Sequence, residues 1–183
     1  MGLEVYDHSL SFVDLTDPVL RGRARRLRTD EMADSALDGI VARMWQVLDS
    51  VEGVGLAAPQ VGIPLAIFLV EYGEVRAAYA NPVRSGLPWP SSELGREGCL
   101  SLPGYRARVM RPRTVMLEAV RVDGPRKGRG PTTLVATDWL ARVYCHETDH
   151  LEGRLYIDRA LPGTLELDDP DRAGSIEAAL RRR

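Results

Sequence analysis

The stretch "YCHETDHLEG", Tyr144 to Gly153, holds two of the chain's three histidines, with a glutamate beside the first. His146 and His150 are four residues apart, so a helix stacks them on one face, one turn apart. Two imidazoles held that way can bind one divalent cation. Glu147 lies roughly 100° around the helix, where it can reach a water on the metal without ligating the metal itself. The cation lowers the pKa of such a water toward neutrality, and the glutamate is placed to take its proton. Trp139, Leu140, Val143 and Leu151 on the same segment turn the histidine face inward. Burying two neutral imidazoles with a carboxylate is costly without a metal or other partners. Thr137 can cap this helix and Gly153 suits its exit.

A catalytic divalent site commonly has three protein ligands and one open position. One protease pattern adds a third histidine, H-E-x-x-H-x-x-G-x-x-H. Gly153 fits that pattern, but Tyr156 stands where the last histidine would be. Glu166 and Glu177 lie in a polar tail with no helical face to present them. Cys99, in "REGCLSLPG", is the remaining soft donor. A Cys/His/His set suits iron, zinc, cobalt or nickel, although in isolation a lone cysteine reads first as a small buried residue. Cys145 is the weaker candidate, because it points about 100° away from His146.

Around this helix the chain reads as α+β. Thr29 or Asp30 can cap a helix whose apolar positions Leu37, Ile40, Val41, Met44, Leu48 and Val51 recur with helical period, ending at Gly53. "DPVLRGRARRL" (17–27) reads as an extended lead-in. Strands are expected at Leu65–Val70, Val75–Ala80, Thr114–Val120 and Thr132–Ala136, the last two as a hairpin with a long exposed turn. "NPV" stops the second strand, and Pro88 and Pro90 mark a loop. The acidic "ELDDPD" and "SIEAALRRR" form a short terminal helix or fray, so the tail from about 160 is expected to be partly disordered. The 183 residues suffice for one domain, 1–183, with a substantial core.

A formal net charge of -2 gives no global basic field toward nucleic acid or membrane. The local clusters "RGRARRLR", "GPRKGRG" and "RRR" read as solvated surface, although such a run could touch an RNA-rich partner. There is no signal-like N-terminus and no apolar run of about 18 residues, so a cytoplasmic location is expected. Two cysteines are too few for a disulfide framework.

Taken in order, "GVGLAAPQ" (Gly53–Gln60), "EGCLS" (Glu97–Ser101) and "HETDHLEG" (His146–Gly153) resemble the three signature motifs of the peptide deformylase family. "DPVLR" and "GRLYID" strengthen the resemblance, which runs from about Val13 to Asp158. It implies antiparallel sheets around the HExxH helix and hydrolytic removal of the N-formyl group from formyl-methionyl nascent peptides. The implied cofactor is one divalent metal ion, foremost Fe²⁺, with Zn²⁺, Ni²⁺ or Co²⁺ as alternatives. Cys99, His146 and His150 would be its ligands and Glu147 the general base, then acid. Gln60 and the backbone N–H of Leu100 would donate to the formyl oxygen as it becomes an oxyanion. Gly53 and Gly55 would let the backbone pass close to an extended substrate and pair with it.

The resemblance also implies a methionine pocket involving Val54, Glu97, Trp139, Arg142, Val143 and His146. Glu97 and Arg111 would pair at its rim, and Arg106 would meet the peptide backbone. The implied partner is an N-formylated peptide, with transient ribosome contact and neither DNA nor membrane. One departure stands out: the family's usual glutamine before the first histidine is Cys145 here, which puts the metal's surroundings in doubt and adds a thiol open to oxidation. An amidase for a specialised formylated substrate, or a metalloprotease, is the alternative reading.

Overall fold

A computed structural model describes residues 2–6, 8–84, 91–124 and 129–173. Two antiparallel sheets and two long helices make up the described architecture, an α+β fold as the sequence predicts. The elements in chain order are α1 (Thr29–Met32), α2 (Ser35–Asp49), β1 (Gly55–Ala57), β2 (Ile67–Tyr72), β3 (Val75–Arg84), β4 (Ser92–Cys99), β5 (Leu102–Pro112), β6 (Thr114–Arg121), β7 (Pro131–Thr137), α3 (Asp138–Leu151) and β8 (Glu166–Leu167). The larger sheet has the order β1-β2-β3-β6-β7 and the smaller β4-β5-β8.

The helix expected from Thr29 is broken into two. The Asp34 side chain accepts from the Ala36 N–H at 2.9 Å, starting α2 afresh after a single turn of α1. Short acidic side chains favour this cap because they satisfy an N–H that the helix leaves unpaired. The helix ends at Asp49, before Gly53. Its buried stripe of Leu37, Ile40, Val41, Met44 and Leu48 packs on Leu56, Ile67 and Leu69 to form the first core. The lead-in is not wholly extended: Asp17 caps a 3-10 turn at Pro18–Arg21, and only then does the chain run straight, bridging Arg25 to Leu65.

"NPV" does not end β3. The strand continues to Arg84 through an irregularity between Ala80 and Val83, with Asn81 at φ 54. The buried Asn81 amide accepts from Leu27 N–H and donates to Leu27 O, both at 2.8 Å, so the kink is tied to the lead-in. β6 and β7 form the expected hairpin. Residues 85–90, at the Pro88/Pro90 loop, and 125–128, in the hairpin turn, lie outside the described residues.

β4 and β5 form the long hairpin that the sequence reading left unassigned. On β5, Ala107, Val109 and Arg111 face inward in alternation. The expected tail divides: residues 160–173 run along β5, where β8 pairs Tyr105 with Leu167 and Arg106 with Glu166. The terminal helix expected from "SIEAALRRR" lies outside the described residues. No described helix is long and apolar enough to cross a membrane.

Candidate metal centre and active-site cleft

α3 lies against β1, β2, β5, β6 and β7. Ala141, Val143, Tyr144, Cys145 and Leu151 pack into the core of the large sheet, leaving the His146/His150 side toward the small sheet. There the chain turns between β4 and β5, and Cys99 comes within 3.2 Å of His150 Nε2. One donor atom each from Cys99, His146 and His150 lies within 4.8 Å of the others.

The donor set fits a divalent cation. Burial alone would raise the Cys99 thiol, but His150 and His146 hold it well below the ordinary thiol range. Burial would likewise lower His146, but Cys99 and Glu97 hold it well above the ordinary imidazole value. A thiol and two imidazoles converging on one point are donors that suit a first-row divalent cation. His146 Nδ1 lies 3.0 Å from Glu97 Oε2, which leaves its other nitrogen for the cation, as in metal sites where a carboxylate orients the ligand. Tyr156, at the place of the third histidine in the protease pattern, stacks on the His146 ring at 6.2 Å between centroids. Its hydroxyl donates to Tyr105 O.

A cleft of ≈ 400 Å³ opens onto this centre. Of the fifteen site residues expected from the sequence, all but Arg111 and His150 line it: Cys99, His146, Glu147, Gln60 and Leu100 near the centre, and Gly53, Val54, Gly55, Glu97, Arg106, Trp139, Arg142 and Val143 around them. His150 is buried behind. Gln60 Oε1 accepts from the Ala57 N–H at 2.7 Å. That bond turns its amide nitrogen toward Ser101 Oγ (3.3 Å) and Cys99 Sγ (3.6 Å). Glu147 is buried, and its Oε2 has no hydrogen-bond partner among the described residues. Burial pushes its carboxyl up to about 7, against the pull of His146 and His150.

A Cβ at Gly55 would stand 2.5 Å from Glu147 Oε1. Two expectations change. Glu97 and Arg111 do pair, at 2.8 and 2.9 Å, but under the cleft rather than at its rim, each side chain being 3% exposed. Arg142 joins them, donating to Glu97 Oε1 (2.7 Å), Val109 O and Glu93 O. Asp149 extends the chain of ion pairs, receiving Arg111 at 2.6 Å and Arg159 at 2.5 and 2.7 Å. Cys145 does not reach the cleft: it is fully buried in the large-sheet core, and burial raises its thiol.

The sequence reading missed Ser101, Asp149 and the cleft-lining Asp168, Asp169 and Arg172. Only the acidic composition of "ELDDPD" hinted at the last group, and its partners lie about sixty residues upstream, at Arg96 and Arg106. Two of the basic clusters are partly neutralised within the fold, Arg21 by Asp158, Arg25 by Glu31 and Arg129 by Asp38.

A helix-borne His/Glu/His set completed by a cysteine from a facing hairpin, at the base of a cleft, defines a metal-dependent hydrolase. The family model described as polypeptide deformylase matches residues 9–165. A curated peptide deformylase of Syntrophomonas wolfei is 36% identical over 154 residues, 84% of this chain and 95% of that protein. The crystal structure of a Thermotoga maritima peptide deformylase superposes with a TM-score of 0.75 at 34% identity, covering 85% of this chain and 99% of the other. That of a Synechococcus elongatus peptide deformylase in complex with actinonin gives 0.75 at 36%, covering 84% and 80%. The chain belongs to the polypeptide deformylase family.

Proposed function

We propose that the cleft hydrolyses the formamide of N-formylmethionyl peptides, releasing formate and a free α-amine. The observation that carries this reading is the convergence on one cleft of an unpartnered buried carboxylate, an oriented amide and the Cys/His/His donor set. Cys99, His146 and His150 would hold the ion, Fe²⁺ foremost, with Zn²⁺, Ni²⁺ and Co²⁺ compatible with the same donors. A divalent cation bound there would supply Lewis acidity for the hydrolysis.

The remaining steps fall to the chain's own groups. Glu147, near 7, takes the proton of the water as its oxygen bonds to the formyl carbon. It then gives that proton to the amine nitrogen as the C–N bond breaks. The Gln60 amide and the Leu100 backbone N–H donate to the oxygen that gains charge. Val54, Trp139 and Val143 offer apolar surface for the methionine side chain. On this reading the enzyme acts in the cytoplasm, in transient contact with the ribosome that supplies such peptides.

Metal-loaded protein should release formate from formyl-Met-Ala-Ser. Glu147→Gln should abolish release, by at least about 10²-fold for loss of the acid–base group, while elemental analysis shows the metal retained. Absence of turnover by freshly Fe²⁺- or Ni²⁺-loaded wild-type protein would overturn the proposal.

A further inference from the structure

The segment 160–173 forms a fitted wall of the cleft. Leu165 packs on the small-sheet core, Leu161 N–H donates to Arg108 O, and the Arg108 N–H donates to Thr164 Oγ1 at 3.1 Å. Gly104, at φ +79, accepts the N–H groups of both Asp168 (2.8 Å) and Asp169 (3.1 Å) on its carbonyl. A Cβ on Gly104 would collide with the Asp169 carbonyl and the Ala173 backbone, so β5 is shaped to seat this segment.

The seat places Asp168 between two guanidiniums. Its Oδ2 receives Arg106 Nε at 2.6 Å and its Oδ1 receives Arg96 Nη2 at 2.9 Å, with Glu166 on Arg96 at 2.6 Å. Arg106 and Asp168 both line the cleft, and both remain wet, at 48% and 34% side-chain exposure. An entering peptide therefore meets Arg106 already masked by a carboxylate, where a bare guanidinium would attract carboxylates.

We infer that Asp168 is a specificity-determining residue: by occupying Arg106 it keeps the cleft mouth from selecting formylated peptides with acidic residues after the first. The inference rests on the deformylase reading above. Charge at an accessible rim acts mainly on encounter and selection, and salt screens it.

The test compares formyl-Met-Ala-Glu-amide with its isosteric neutral partner formyl-Met-Ala-Gln-amide, using metal-loaded full-length wild type and Asp168→Asn. In the variant the ratio of kcat/KM, acidic over neutral, should rise roughly 3- to 10-fold, mostly through KM. The rise should collapse in 1 M NaCl and vanish in Asp168→Asn/Arg106→Gln. An unchanged ratio, with both peptides turned over, overturns the role of Asp168 alone. No turnover of either peptide by wild type overturns the deformylase reading instead.

Discussion

Arg111 and Arg106 stand five residues apart on one strand, β5, and face opposite environments. Arg111 is 3% exposed, with Glu97 and Asp149 closed around it. Arg106 is 48% exposed and shares a carboxylate with Arg96 at the cleft mouth. The residue types and contact distances are similar, but water access differs. Beneath the cleft, each charge depends on its partner because water cannot replace it. At the mouth, water and salt can replace either partner, so the pair adjusts which ligands approach and contributes little to holding the fold. The buried set also reaches the metal centre: Glu97 engages Arg111, Arg142 and His146 at once. Rigidity is placed where a ligand must be held, and adjustability where peptides of different sequence must enter.

Removing the buried partner should have the largest effect. Arg111→Met takes from Glu97 and Asp149 the buried guanidinium they share, leaving each hydrogen-bonded to a single one, Arg142 and Arg159, and should cost about 3–5 kcal/mol of stability, read from urea unfolding. A loss near zero would remove the contrast between floor and mouth.

An intermediate case lies far from the cleft. Glu31 is 3% exposed, but its partner Arg25 is 45% exposed. The carboxylate accepts both Arg25 nitrogens, at 2.8 and 3.0 Å, and the Arg28 backbone N–H at 2.8 Å. The Arg25 hydrogen bonds hold its carboxyl below the ordinary 4.5, overcoming the opposing effect of burial. A carboxyl depressed in the folded state stabilises the fold above its unfolded value and ceases to do so as pH falls through the folded value. Glu31→Gln should therefore cost about 1–3 kcal/mol near neutrality. The gap between variant and wild type should hold steady above about pH 6 and close as pH drops below 4.5. Urea midpoints across that range measure it, and a gap independent of pH would mean that the ion pair is not its source.

The same distinction explains what the sequence made legible. The metal helix was readable because its chemistry and its period coincide: His146 and His150 share a face, and the residues packed against the large sheet are mostly apolar. Cys99 needed the motif order as well, since nothing local separates a ligand from a packing cysteine. β5 was opaque because its inward alternation passes through Arg111, a charge at a core position, and the partners that make this tolerable are Glu97 and Asp149, 14 and 38 residues away in sequence. The break at Asp34 was missed for the opposite reason. The apolar period begins only at Leu37, so it does not mark where the helix starts, and the local cap at Asp34 decided it. The wall formed by 160–173 had no periodic signal, because charge pairing and the shape of Gly104 hold it in place.

The smallest effect is expected at the mouth, where it is also the most diagnostic. Asp168 is held below the ordinary carboxylate range chiefly by its hydrogen bond from Arg106, with Arg96 adding to it, yet every partner there is open to solvent. Asp168→Asn keeps the shape of the side chain, and the backbone bonds of Asp168 and Asp169 to Gly104 do not depend on its charge. Its urea midpoint should match that of wild type within error at 1 M NaCl, and any difference at low salt should disappear with screening. A large, salt-independent loss would show that the segment is held by this carboxylate rather than by its backbone seat and by Leu165. The mouth would then belong with the floor as part of the scaffold, and Arg106 and Arg111 would differ only in exposure.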